Sequence, residues 1–162
     1  MLGALQRVAF TLFGRLPRRV RVRLVRTIAP SFTVGSICVI ERTDGRIALI
    51  QQRYRKRWGL PGGLLARGES PDAAARREVR EEIGIEVDLV GEPVVVVESD
   101  VRRVDVVFRA VAVAEDPGLD DLVPTSAEIR SVGWFAPDRL PELQPETGTA
   151  LDALERARRA QG

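Results

Sequence analysis

Histidine is absent from the chain, and cysteine occurs once, at Cys38. Without an imidazole there can be no His-ligated metal site and no His-based triad, and one thiol cannot close an internal disulfide. Whatever chemistry the chain performs must run on carboxylates. Cys38 lies in the apolar run Ser36-Ile37-Cys38-Val39-Ile40 and reads as a small buried core residue. Long hydrophobic runs are missing too: no apolar segment approaches the roughly 20 residues of a membrane span, and Arg7 and Arg15 interrupt any secretory core. A cytoplasmic location is expected. Lysine is nearly absent, one against 24 arginines, a bias that points to a GC-rich bacterial genome rather than to a nucleic-acid surface. No nucleic-acid partner is expected.

Acidic residues are missing from residues 1–40, which hold seven arginines, and this leaves 18 basic against 23 acidic residues beneath a net charge of +2. What is present in quantity is apolar material, 44% of 162 residues, enough for the core of one compact unit. Residues 1–30 read as a basic extension of two short amphipathic helices, with Gly14 and Pro17 between them. Such helices suit packing on the rest of the domain or on the partner of a homodimer. Peripheral contact with an anionic membrane is the less favoured reading.

Residues 31–162 form the second region. Phe32–Ile40 and Ile47–Gln52 are β-rich runs around the turn Thr43-Asp44-Gly45. A basic loop, Arg53-Tyr54-Arg55-Lys56-Arg57-Trp58, leads into Pro61-Gly62-Gly63; Arg53, Arg55 and Arg57 suit a phosphate clamp, and Trp58 a packing anchor. Residues 86–91 read as an exposed strand, and 94–98 pair with 104–114 as a hairpin central to a mixed sheet, with Glu98, Asp100 and Asp105 as surface charges. Residues 115–127 are a long polar loop suited to a lid. A strand, Ile129–Phe135, and a structural helix, 146–160, close the chain.

The densest chemistry lies between Gly62 and Ile85. Ser70 and Pro71 open a helix and Gly84 stops it, with Ala75, Val79 and Ile83 as its buried stripe. Glu78, Glu81 and Glu82 stand at i, i+3 and i+4, so three carboxylates emerge on one side with Cβ atoms roughly 5–6 Å apart. Two charges at about 6 Å, with an effective dielectric near 20, repel by roughly 3 kcal/mol. The helix alone leaves two readings: a solvated acidic face laced with Arg76, Arg77 and Arg80, or an oxygen site for a hard divalent cation such as Mg²⁺.

The full spacing decides between them. Gly63, Glu69, Arg77-Glu78-Val79, Glu81-Glu82 and Gly84-Ile85 fill nine fixed positions across 23 residues, and this run resembles the Nudix box. The resemblance extends over about residues 31–143. It implies a Nudix fold, an α/β/α sandwich with a central mixed sheet and a catalytic loop-helix-loop, and Mg²⁺-dependent diphosphatase activity, with Mn²⁺ as a substitute. The substrate class it implies is a small nucleotide, a nucleoside diphosphate linked to another group. By the same resemblance Glu81, Glu82, Glu78 and the Gly62 carbonyl hold metal, with Glu128 as a further ligand. Glu78 or Glu128 serves as base, Arg77 orients Glu78, and Glu69, Gly63 and Gly84 support the loop and helix. No Pro or Tyr stands fifteen to eighteen residues after Ile85, which weakens ADP-ribose and dinucleoside polyphosphates and favours a nucleoside triphosphate or nucleotide sugar. The alternative, a catalytically weak nucleotide-binding sensor or interaction module, sits poorly with an intact box.

Overall fold

The computed structural model describes residues 2–29, 31–113 and 121–161. The chain divides into two units, Met1–Phe32 and Thr33–Gly162. The first holds α1 (Leu2–Arg15) and α2 (Arg18–Ile28), so Pro17 and not Gly14 marks the break. A proline there has no N–H to lose to a helix bond and fits the entry to α2. No described helix is long and apolar enough to cross a membrane.

The second unit is built on a six-stranded sheet. Its strands are β1 (Thr33–Glu41), β2 (Ile47–Gln52), β3 (Gly62–Leu64), β4 (Val87–Glu98), β5 (Arg103–Ala112) and β6 (Ile129–Phe135). The order is β4-β5-β1-β2-β6, with β3 paired to β1. β1 runs parallel to β5 and antiparallel to β2 and β3, which makes the sheet mixed as expected. The β4–β5 hairpin is not central: β4 is an edge strand, and β1 holds the middle. The two runs expected at 86–91 and 94–98 are one strand, bent by a bulge between Val90 and Val94. The alternation in β4 fits a strand with one solvated face and carries no information about its place in the sheet.

Alternation along β1 sorts side chains between two helices, because neighbours on a strand point to opposite faces. Cys38 and Ile40 pack with Val79 and Ile83 of α3 (Pro71–Ile83). Ile37 and Val39 pack with Ala150 and Leu154 of α4 (Pro145–Gln161). The result is the expected helix–sheet–helix sandwich. Cys38 is fully buried among these residues, and burial pushes its thiol up to about 12. Trp58 anchors a connector by meeting Phe135 edge to face at 4.7 Å.

Asp105, read above as a surface charge, is 2% exposed and paired with Arg103. Its strand position could not reveal this, since the face it occupies is covered by elements distant in sequence. Of the polar loop expected as a lid, residues 114–120 lie outside the described residues. Its tail is fastened to the glutamate helix: the Thr125 N–H donates to the Glu82 carbonyl at 3.1 Å, and Thr125 Oγ1 donates to the Glu81 carbonyl at 2.8 Å.

Candidate active site

α3 begins where expected, with Ser70 at the cap position and Pro71 in the first turn, although the Ser70 hydroxyl makes no capping bond to the helix. The start is held instead from the sheet, where Ser36 Oγ on β1 donates to the Pro71 carbonyl at 2.8 Å. The stop is Gly84, left-handed at φ 73°. Ala74, Ala75, Val79 and Ile83 bury the apolar stripe, and Glu82 is buried beside it with its carboxylate on the Gly62 N–H.

That loop lies on β1 as β3, and a side chain at either glycine would collide. A Cβ on Gly62, where φ is 154°, would sit 2.3 Å from the Ser36 carbonyl oxygen. A Cβ on Gly63 would sit 2.2 Å from Glu78 Oε1 and 2.5 Å from its Cδ. The second collision is with the end of a mobile side chain, so Gly63→Ala should fold and displace the Glu78 carboxylate. A misplacement of this size costs on the order of 10²-fold in rate. The expected result is a kcat lowered to that degree with a melting temperature within a few degrees of wild type; unchanged kcat would show that Glu78 is not where the reaction needs it.

Arg77 organises the site from the helix. Its Nε donates to Glu69 Oε1 at 2.8 Å and its Nη2 to Glu69 Oε2 at 3.0 Å, a bidentate pair. Its Nη1 donates to Glu78 Oε1 at 2.8 Å and to Glu81 Oε2 at 3.1 Å, and Nη2 reaches the Leu64 carbonyl at 3.3 Å. Glu69 also accepts from the Ala66 N–H at 2.8 Å. The loop and helix are thereby braced through one guanidinium. The Arg77 bonds, then the Ala66 N–H, hold the Glu69 carboxyl down at about 2, against an ordinary 4.5. A depressed carboxyl contributes stability that is present in full above 4.5 and lost as pH falls through about 2. The melting temperature of wild type should therefore exceed that of Glu69→Gln down to about pH 3 and converge with it near pH 2. Convergence already at pH 4 would contradict the brace.

Glu82 is 7% exposed, and its carboxylate accepts the Gly62 N–H at 2.9 Å. Burial pushes its carboxyl up to about 8; the Gly62 N–H pulls the other way, and the charges of Glu78, Glu128 and Glu81 add to the rise. Among the described residues this buried carboxyl, beside three others, has no ion pair, and the donors are all hard oxygens, so the residues fit a divalent cation such as Mg²⁺. Among the described residues no three carboxylates already close around one point. Glu78 and Glu81 are turned to Arg77 and Glu82 to the glycine loop, the splay expected of like charges.

Glu128 joins this group from the residue before β6. Its carbonyl accepts the Arg53 N–H at 2.8 Å, and Arg53 Nε donates to the Ala127 carbonyl at 2.8 Å. Glu78, Glu81, Glu82, Glu128, Gly62 and Gly63 line one cavity of about 520 Å³. Of the expected phosphate clamp, Arg55 lines it, whereas Arg53 and Arg57 are not among its lining residues; Arg57 is paired with Glu142. The same cavity takes Gln144 and Glu146, both bonded by Arg55 Nη1, and Arg103. Reading the last helix as structural missed Glu146, because nothing in sequence brings residue 146 to residue 55.

Comparison with known proteins matches the family described as the NUDIX domain over residues 31–155. A MutT-like protein of Streptomyces ambofaciens is 36% identical over 134 residues, 81% of this chain and 82% of that protein. A protein of Mycobacterium tuberculosis named putative 8-oxo-dGTP diphosphatase 2 is 34% identical over 110 residues, 59% of this chain and 76% of that one. Among solved structures, a MutT NUDIX hydrolase from Burkholderia pseudomallei is 30% identical with a TM-score of 0.60, covering 76% of this chain and 98% of its own.

Proposed function

We propose, for a chain that belongs to the Nudix hydrolase family and is a hydrolase of phosphoric anhydride bonds, that its substrate is a nucleoside triphosphate cleaved with Mg²⁺ in the cytoplasm. The observation that carries the diphosphate chemistry is the cavity in which Glu78, Glu81, Glu82 and Glu128 meet the Gly62-Gly63 loop. Family members generally use divalent metal ions, and a Mg²⁺ held at such carboxylates neutralises phosphate charge and acidifies a water. Mn²⁺ is the expected substitute.

Glu81 and Glu82 are the principal metal-holding residues, with Glu78, Glu128 and the Gly62 carbonyl completing the set. The Gly62 N–H fixes Glu82, and Arg77 fixes Glu78 through its Nη1 bond of 2.8 Å. Water attacks phosphorus, one P–O bond of the anhydride breaks, and the attacking water's proton passes to Glu78 or Glu128. No covalent intermediate is required. The triphosphate reading draws support from the mycobacterial relative whose name is putative 8-oxo-dGTP diphosphatase.

A panel of nucleoside triphosphates, nucleotide sugars, ADP-ribose and dinucleoside polyphosphates with Mg²⁺ or Mn²⁺ tests the substrate. Phosphate release after phosphatase coupling should be greatest with a triphosphate. Preferential turnover of a nucleotide sugar would replace the triphosphate reading, and turnover of no member would remove both.

A further inference from the structure

We propose that Arg103 is an anion-binding residue of the cavity, taking a substrate phosphate, and that buried Asp105 is the residue that positions it. Arg103 and Asp105 stand two apart on β5, so their side chains share one face of the sheet. Arg103 Nε donates to both Asp105 oxygens, at 2.9 and 2.7 Å. The Asp105 side chain is 3% exposed and that of Arg103 30%.

The manner of pairing is informative. An arginine that serves only to neutralise a carboxylate commonly offers two parallel N–H groups in a fork. Here the carboxylate takes Nε alone, and among the described residues Nη1 and Nη2 make no hydrogen bond. The guanidinium is held by its inner nitrogen, while its outer pair is kept for something else. It lines the cavity that holds Glu78, Glu81, Glu82 and Glu128.

The backbone leaves room for this arrangement. Gly35 pairs with Asp105 across the parallel β1–β5 ladder. A Cβ at Gly35 would lie 2.2 Å from Asp105 Oδ1 and 3.0 Å from Arg103 Nη2. A side chain there would push the pair out of place. Of the arginines of the 53–57 loop, Arg53 and Arg57 do not line the cavity and are bonded to the Ala127 carbonyl and to Glu142, while Arg55 lines it with its Nη1 held by Gln144 and Glu146. Arg103 brings to a cavity rich in carboxylates a fixed cation whose two outer nitrogens make no hydrogen bond among the described residues, which suits two oxygens of one phosphate. Lysine, with a single ammonium, would supply the charge without the fork.

This assignment rests on the diphosphate chemistry above for its biological ligand, but its test does not. Titration calorimetry of the full chain with inorganic tripolyphosphate in EDTA reads the arginine without the metal. Wild type should bind. Arg103→Met/Asp105→Asn, which removes both partners and leaves no unpaired buried charge, should bind at least tenfold more weakly at a native melting temperature. Arg103→Lys should fall between them. Asp105→Asn alone should weaken binding, and the loss in the double variant should equal that of Arg103→Met, since both act through one guanidinium. In turnover of the best panel substrate, KM should rise more than kcat falls. Wild-type tripolyphosphate affinity in the double variant or in Arg103→Lys, or no binding by wild type itself, would overturn the assignment. Retained tripolyphosphate binding with no turnover of any nucleotide would instead remove the substrate reading and leave Arg103 in place.

Discussion

Replacing Glu82 with Gln is expected to lower kcat about a thousandfold or more, roughly 4 kcal/mol of transition-state stabilisation, without lowering the melting temperature. The loss follows from taking a charge away from the one deeply buried carboxylate of the cluster, 7% exposed and next to the glycine loop. The preserved fold follows from what glutamine keeps: its side-chain oxygen still accepts the Gly62 N–H, and it is neutral, the form that burial favours for the carboxyl itself. The sign of the pH dependence is opposite to that of Glu69. A carboxyl pushed up from 4.5 to about 8 favours the folded state below 4.5, and that contribution is lost as pH rises through about 8. Metal-free wild type should therefore lose melting temperature on alkaline titration, and metal-free Glu82→Gln should lose less. Near-wild-type turnover by the variant in saturating Mg²⁺ would remove Glu82 from the metal site.

Gly62→Ala is expected to do the reverse, damaging the fold first. Its new Cβ would meet backbone at 2.3 Å, the Ser36 carbonyl oxygen, and 2.9 Å, the Ile37 Cα. Neither can swing aside, because Ser36 and Ile37 belong to the central strand and pair there with Gly63 and Gly62. The backbone conformation is also one that L-residues resist. Together these cost on the order of 3 kcal/mol or more, about 6–12 °C in melting temperature for a chain of this size. The contrast with Gly63→Ala, whose obstacle is the movable Glu78 carboxylate, is the useful one. Equal melting temperatures for the two variants would show that the glycine loop is not pressed against β1 as described.

The box was readable because its chemistry is local. Helix period places Glu78, Glu81 and Glu82 on one side, Ser70-Pro71 and Gly84 bound the helix, and the Arg77–Glu69 brace spans only eight residues. Strand existence was legible for the same reason, but strand order was not. The β4–β5 hairpin could be foreseen from alternation, whereas its place at the edge depends on β1 pairing in parallel with β5 across about seventy residues. The cavity beyond the box was the least legible part. Arg55 meets Gln144 and Glu146 across about ninety positions, and no spacing rule carries information that far. Asp105 misled because a charge on an alternating strand reads as solvent-facing; only its position beneath Arg103, beside a glycine on the neighbouring strand, makes burial tolerable.

We propose that the glutamates of α3 hold a divalent cation at the glycine loop. Mn²⁺ titration followed by electron paramagnetic resonance measures this directly, without a substrate. Wild type should deplete the free Mn²⁺ signal with saturable binding, and Glu82→Gln, folded to the same melting temperature, should bind at least tenfold more weakly. Equal Mn²⁺ affinity in the two proteins would contradict the account.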